Sequence, residues 1–537
     1  MKKICLYFEI HQIIHLKRYR FFDIGRDHYY YDDYENERSI SDIAERSYVP
    51  ALQALIQMAK ENPGYFKVAL SLSGVGLEQL EFHAPQVIDL LVELNKTGAV
   101  EFLCEPYSHG LAAIGNEESF VEECQRLSKK IEELFGQTPK VFRNSSLIYS
   151  DDIGATVAGM GFKGMLTEGA KHILGWKSPH FVYNNALNPN LKLLLRDYKL
   201  SDDLSLRFSN TEWSEYPLFA ETYVDWIAQQ PEEEKVINIF MELCALGIFQ
   251  PLSSNILEFL KALPACAKAR GIEFATPSEI CDSEPSVGAL DVPYNISWVD
   301  EERDTSCWLG NQMQQEAFHK LYSVADRVRI SNDRRLKQDW DYLQASNNFR
   351  FMTTKSSSVG MNRGIYDGPY DAFTNYMNIL GDFINRVNSL YGDIENEELE
   401  SLLTTIHNQD VELAAKDKEI AKLQAALEKY NPTEAAAEVK AVAEKETVPA
   451  PAPKAEKAPA KKAAPKKAAA PKAEKAPVKK AAPKKAATPK AEKTAEPAPK
   501  KAAPKAEKAP AKKAAPKKAA APKAEKAPAK KAAPKKK

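Results

Sequence analysis

Short apolar runs alternate with helix-period stretches over the first 280 or so positions. The runs Ile4–Ile10, Lys67–Leu72, Val100–Cys104, Lys140–Phe142, Gly164–Leu166, Leu191–Leu195, Val236–Glu242 and Ile272–Phe274 have the length and composition of buried strands. Between them lie amphipathic segments. "DIAERSYVPALQALIQMAKENPG" closes on Asn62-Pro63-Gly64, and "APQVIDLLVELNKTGA" and "FVEECQRLSKKIEELFG" repeat the pattern. Strand–helix alternation implies a parallel sheet, and seven or eight units over this length imply closure into a barrel. An open doubly wound sheet is the alternative, disfavoured because no glycine-rich phosphate loop follows the first strand.

The period changes from about Tyr294. "DTSCWLGNQMQQEAFHKLYSVADRV" and "DGPYDAFTNYMNILGDFINRVNSLYG" are amphipathic with aromatics on the apolar face, which predicts a helical domain. The expected organisation is a (β/α)7-type parallel barrel over 1–290 and a helical domain over 291–391. An amphipathic, coiled-coil-like helix over 393–430 and a tail over 431–537 follow. In the third segment Leu399, Ile406, Leu413, Ile420 and Leu427 recur every seven residues, the seam of a coiled coil through which copies could pair. Its companion positions, Leu402, Gln409, Lys416 and Leu423, are mixed. A helix lying on its own domain fits the pattern equally.

Charge separates the tail from the rest. Residues 451–537 hold 29 Lys and 6 Glu; removing them from the chain's 73 basic and 74 acidic residues leaves 44 and 68 in 1–450. The near-neutral whole is therefore an acidic body, net −24, cancelled by a basic tail, net +23. The tail repeats "PKAEKAPxKKAAPKK" from Pro453, Pro471, Pro504 and Pro522 and offers almost nothing to bury, so disorder is expected. It resembles the lysine-alanine-proline arm of linker histones. A polycation of this kind can bind nucleic acid or another polyanion without reading sequence. It can equally fold back on the acidic body or serve as a solubilising linker.

The seven cysteines stand at no metal-ligand spacing, which implies free thiols and a reducing cytoplasm. "ICLYFEIHQ" turns polar too early for a signal peptide, and no run approaches the roughly 20 apolar residues of a membrane span. The expectation is a soluble cytoplasmic protein with no metal, cofactor or membrane partner.

Polar groups collect where barrel strands would end: His11 and Gln12, Glu78, Glu105 and His109, Arg143 and Asn144, and Glu242. A single histidine in such a place is ordinarily a hydrogen-bonded core residue. Several carboxylates, imidazoles and an arginine at successive strand ends instead suggest a site for a polyhydroxylated ligand such as a sugar.

With those residues in place, the chain from about Lys3 to Phe383 resembles the α-amylase branch of glycoside hydrolase family 57. "FEIHQIIHLKRYRFFDIGRDHYYYDDYENE" resembles the family's opening motif, "LSGVGLEQLE" its second and "FLCEPYSHGLAAI" its third. "VFRNSSLIYSDDI" resembles the nucleophile motif, "INIFMELCALG" the acid/base motif and "ATPSE" the last barrel motif. "WVDEERDTSCWLGNQMQQEA" and "PYDAFTNYMNILGDF" resemble its helical domain. The resemblance implies a (β/α)7 barrel and a retaining mechanism on α-glucans, with α-glucan or oligosaccharide as the partner. It also implies a substrate-binding set of His11, Glu78, Glu105, His109, Arg143, Asn144, Asp304 and Trp308.

The resemblance fails at the reacting atoms. The family's Phe-Arg-Asn-Thr-Glu-Leu-Ile-Tyr reads here with Ser145 and Ser146, so Ser146 takes the nucleophile position. The family's Met-Asp-Tyr-Glu-Thr-Phe-Gly becomes Met241-Glu242-Leu243-Cys244-Ala245-Leu246-Gly247, with Glu242 at the acid/base position and Cys244 in place of a second carboxylate. Ile13 replaces the proline of the opening motif. Serine without a base is a weak nucleophile and offers no charge to an oxocarbenium ion. Asp151 and Asp152 read as a helix start, and "LCALGIF" reads as pocket floor refilled with core. The expectation is an α-glucan-binding protein with weak or lost hydrolysis. The alternatives are an active hydrolase or transglycosylase with a relocated carboxylate, and a polyanion-associated protein acting through its tail.

Overall fold

The computed structural model describes residues 1–355 and 363–391, with isolated positions between 405 and 422. The expected coiled-coil segment lies largely, and the basic tail wholly, outside the described residues. Ten strands form in chain order: β1 (Lys3–Ile10), β2 (Val68–Leu72), β3 (Val100–Leu103), β4 (Val141–Arg143), β5 (Gly164–Glu168), β6 (Tyr183–Asn185), β7 (Lys192–Arg196), β8 (Val236–Glu242), β9 (Glu273–Phe274) and β10 (Ala289–Leu290).

Seven of them close a ring. β1 pairs in parallel with β2 and β8, β2 with β3, β4 with β5, β5 with β7 and β7 with β8. The gap between β3 and β4 is bridged at Cys104 and Phe142. β9 pairs with the first two residues of β1, and β6 and β10 are short additions beside β7.

Strand alternation sorts the side chains. Ile4, Leu6, Phe8 and Ile10 of β1 face helices, in a core with Leu52, Leu55 and Leu263. Cys5 and Tyr7 face the lumen, in a separate core with Ala69, Leu103, Val141, Leu166, Leu194 and Phe240. The next lumen-facing residue along each of the seven strands is polar: Glu9, Ser71, Glu105, Arg143, Glu168, Arg196 and Glu242. The barrel is thus an apolar plug capped by a charged layer at the C-terminal ends of its strands, the end where such barrels carry their chemistry.

The first helix begins earlier than expected, at Asp33, with Asp32 accepting the Glu35 N–H as its cap. It then widens into a π-type turn over Ala44–Tyr48 before continuing as Val49–Glu61. The extra residue per turn there carries Tyr48 toward the barrel mouth.

Past residue 300 the chain is helical: Ser306–Leu309, Gln312–Tyr322, Ala325–Ile330, Arg334–Leu343, Ser346–Arg350 and Pro369–Ser389. These helices share one core with the barrel's outer face, joining Phe142, Met165 and Leu193 to Trp308, Phe318, Leu343 and Phe383. The excursion after β1 is tied to the last of them. The Asp382 carboxylate accepts from Gly25 N–H at 2.6 Å and from the Tyr30 hydroxyl at 2.6 Å. All seven cysteines are free thiols. No helix among the described residues is long and apolar enough to cross a membrane.

Candidate active site

The charged layer is built around one guanidinium. Arg143, at the end of β4, is fully buried and donates to both oxygens of Glu9, through Nη1 and through Nη2 at 2.8 Å, and to Glu105 Oε2 at 3.0 Å. Its ring partner is Phe240, 4.9 Å below. Ser71 donates to Glu105 as well. His109 reaches the same carboxylates, with Nδ1 3.2 Å from Glu9 and 3.4 Å from Glu105. Glu9, Glu105 and His109 lie close enough to hold a metal ion. Arg143 places a guanidinium among them, bonded to both carboxylates. Fork-like bidentate pairing of this kind suits a buried carboxylate better than a point charge does.

His11 stacks on His109 with ring centroids 4.0 Å apart, and its Nδ1 lies 2.8 Å from Ser73 Oγ. The two imidazoles are driven apart electrically. Burial, then His109 and Arg143, push the His11 pKa well below its ordinary value. Burial also works to lower His109, but Glu9 and Glu105 overturn it and its pKa ends raised. Burial raises Glu9 against the pull of Arg143 and His109. Glu105 ends lowered, since His109 and Arg143 outweigh its burial. The surrounding charges therefore favour a proton on His109 and oppose one on His11.

This division gives a stability prediction. A folded pKa above the unfolded one contributes stability that is full below the unfolded value and lost as pH rises through the folded value. Replacing His109 by Gln should therefore destabilise the protein more at about pH 5.5 than at about pH 9. Urea melts at both pH values measure it, and an equal or larger loss at the alkaline end contradicts the assignment.

Above this layer opens a cavity of about 280 Å3. Glu9, His11, Gln12, His109, Ser146, Glu242 and Cys244 line it, with Tyr48, Phe249, Trp298 and Trp308 as aromatic walls and Asn347 and Arg350 from the helical part. Glu242 sits at the tip of β8, in register with Glu9 of β1. The Cys244 thiol donates to Glu242 Oε2 at 3.4 Å. Leu243, Ala245 and Leu246 are buried, while Ile248 and Phe249 face the cavity.

Ser146 enters on a strained turn. Its φ is 50°, and Leu147 follows at 55°. Asn144 shapes that turn, accepting from Ser145 N–H at 2.9 Å and donating to the Ile148 carbonyl at 2.9 Å. His109, Asp300 and Arg303 also have positive φ, so five of the six such non-glycine residues among the described residues surround this mouth or the loop carrying Trp298. Left-handed backbone at non-glycine residues costs about 1–2 kcal/mol each and collects at functional sites. Ser145 Oγ, His11 Nε2 and Trp298 Nε1 are buried there without a hydrogen-bond partner.

The structure brings His11, Glu105, His109, Arg143, Ser146, Glu242 and Trp308 to the mouth or to the layer beneath it. Three other expected residues stand elsewhere. Glu78 lies one turn into the helix Gly74–His83, so it faces a neighbouring cleft and accepts from the hydroxyls of Tyr107 and Tyr342. Asn144 is spent on the turn described above. Asp304 accepts from Ser306 N–H at 2.8 Å, just ahead of the helix that carries Trp308. Asp151 does occupy a helix start, where it accepts from Val292 N–H.

Glu9, Tyr48, Trp298 and Arg350 were not anticipated. Glu9 shares the lumen-facing parity of Cys5 and Tyr7, a parity that becomes readable only once the ring closes.

Comparison with known proteins agrees with this architecture. The family model described as Glycosyl hydrolase family 57 matches residues 5–293. A protein of Methanocaldococcus jannaschii named "Putative alpha-amylase" is 37% identical over 370 residues, spanning 66% of this chain and 78% of that protein. The fold is similar to that of the family 57-type branching enzyme from Pyrococcus horikoshii, with TM-score 0.54 and 13% identity over 76% of this chain and 94% of that one. It is also similar to the 4-alpha-glucanotransferase from Thermococcus litoralis, with TM-score 0.52 and 15% identity. There the match covers 71% of this chain and only 60% of the other.

Proposed function

The chain belongs to glycosyl hydrolase family 57 as an α-amylase-like member, and on that premise we propose that it binds α-glucan at the barrel mouth without hydrolysing it at an enzyme's rate. The observation that carries this reading is the carboxylate inventory of the mouth. Retaining hydrolysis uses two carboxyl groups about 5–5.5 Å apart, one to attack the anomeric carbon and one to protonate the leaving oxygen. Of the residues lining this mouth only Glu9 and Glu242 carry carboxyl groups. Glu9 is held on both oxygens by Arg143 and approached by His109. A carboxylate so paired is a poor nucleophile, because attack on carbon must first break charge-assisted hydrogen bonds. Glu242 has no ion-pair partner among the described residues and is the one carboxyl group free to exchange a proton with a ligand.

Binding needs less than catalysis. Tyr48, Trp298 and Trp308 give the mouth aromatic walls, while Gln12, Asn347, Arg350 and Glu242 offer donors and acceptors for sugar hydroxyls. Full-length protein is expected to bind maltoheptaose by calorimetry and to release no reducing sugar from it above the buffer blank. Turnover of an α-1,4-glucan that Glu242→Gln abolishes would overturn the reading. It would also point to Glu9 as a relocated nucleophile, a role that Glu9→Gln would then test.

A further inference from the structure

Beside the mouth, and separated from it by the Gln12–Ile14 segment, lies a larger cleft of about 610 Å3. Gln79 seals the partition by donating to the Ile13 carbonyl at 2.7 Å and the Gln12 carbonyl at 3.2 Å. We propose that this cleft is a second, non-catalytic binding site for an α-glucan chain, an inference that rests on the glucan reading of the barrel.

Its chemistry is what a sugar polymer needs. Phe82 is 85% exposed and Tyr29 39%, so two exposed rings border one cleft, with the Lys17 ammonium over one face of Tyr29 at 5.4 Å. Exposed aromatics gathered at a concavity mark a binding site far more often than isolated ones do. Tyr29 packs edge-on to Tyr31, with centroids 5.4 Å apart, and Tyr31 to Tyr342 at 5.2 Å, which fixes the wall rigidly. Glu78 lines the same cleft. The Tyr107 and Tyr342 hydroxyls donate to its two oxygens at 2.5 and 2.7 Å, and it has no basic partner among the described residues. Gln338 donates to the Tyr342 hydroxyl at 2.8 Å, completing a chain of neutral donors around one carboxylate.

A carboxylate held only by phenols keeps lone pairs for further donors, and vicinal sugar hydroxyls supply donors in pairs. An anionic ligand would meet Glu78, Glu81, Asp33 and Asp339 in this cleft against Arg335 and His83. A neutral polyol with apolar faces meets no such penalty. The cleft also has more than twice the volume of the mouth, room for a chain rather than a single residue.

The test uses the full chain, with glycogen in affinity gels and maltoheptaose in calorimetry. Tyr29→Ala combined with Phe82→Ala alters two exposed rings; Glu242→Ala combined with Phe249→Ala alters the mouth. The cleft pair should lower glycogen affinity at least about tenfold and remove one of two maltoheptaose sites, as loss of two stacking surfaces implies. Glycogen and maltoheptaose binding by the cleft pair equal to wild type, with the mouth pair losing it, would overturn this inference and leave the barrel reading intact. Loss confined to the cleft pair, with the mouth pair unchanged, would support the cleft and overturn the mouth as a glucan site.

Discussion

Replacing Arg143 by Met is expected to destabilise the folded protein by about 3–5 kcal/mol, the usual cost of breaking a buried ion pair from one side. The side chain is fully buried, and so is Glu105, while Glu9 is nearly so. Removing the guanidinium takes away three charge-assisted hydrogen bonds at once. It leaves two carboxylates in a low-dielectric layer with only His109 as cation. Glu9, already pushed up by burial, would then take a proton, which removes its charge but not its lost partners. The apparent instability should therefore ease as pH falls, opposite to ordinary acid unfolding. Urea denaturation reads the effect. Arg143→Lys should lose less, because charge survives while the fork does not. Adding Glu9→Gln to Arg143→Met should recover part of the loss, since the pair is coupled. A midpoint unchanged in Arg143→Met would mean that the layer is not an ion-paired network at all.

That network also shows where sequence reading reached and where it stopped. The barrel strands were legible because each is a short apolar run bounded by turn or helix signals, and all eight expected runs are strands. Parallel strands buried on both faces lose the hydrophobic–polar alternation that would reveal which residues look inward. Glu9 was hidden for that reason. Only with closure of the ring does its position beside Tyr7, on the lumen face, become a site position. Glu168 and Arg196, paired at 3.2 Å in the same layer, were hidden likewise. Glu78 failed in the other direction. It follows a strand by six residues, yet the helix begins at Gly74 with Ser73 as cap, so the side chain is already a turn past the strand end. Trp298 belongs to a loop with positive φ at Asp300 and Arg303, backbone that no local pattern announces.

The family resemblance located Ser146 and Glu242 on strand ends that the structure then placed around one cavity. Neither the pattern nor the resemblance weighs whether the groups around this cavity would hydrolyse glucan with a carboxylate at position 146.

Ser146→Glu tests this, and it should raise the hydrolysis of maltoheptaose by at least about a hundredfold over wild type, the lower range for restoring one positioned catalytic group. The backbone at Ser146 already carries the left-handed strain at φ 50°, and glutamate bears it no worse than serine does. The side chain has room, because Ser146 faces the cavity, whereas Ser145 is fully enclosed. His109, whose pKa Glu9 and Glu105 raise, lines the same cavity and in its protonated form favours an added carboxylate in its charged form. Glu242 then stands as the proton donor, one CH2 longer than the family's aspartate, and that extra length is why the expected gain stays well below a full enzyme's rate. Ser146→Gln has the same size without the charge and should gain nothing. Adding Glu242→Gln to Ser146→Glu should return the rate to background. If Ser146→Glu stays at the wild-type rate while still binding maltoheptaose, the defect lies at β8. There Cys244 donates to Glu242 at the position of the family's second carboxylate, and the barrier to hydrolysis would be shared between two strands.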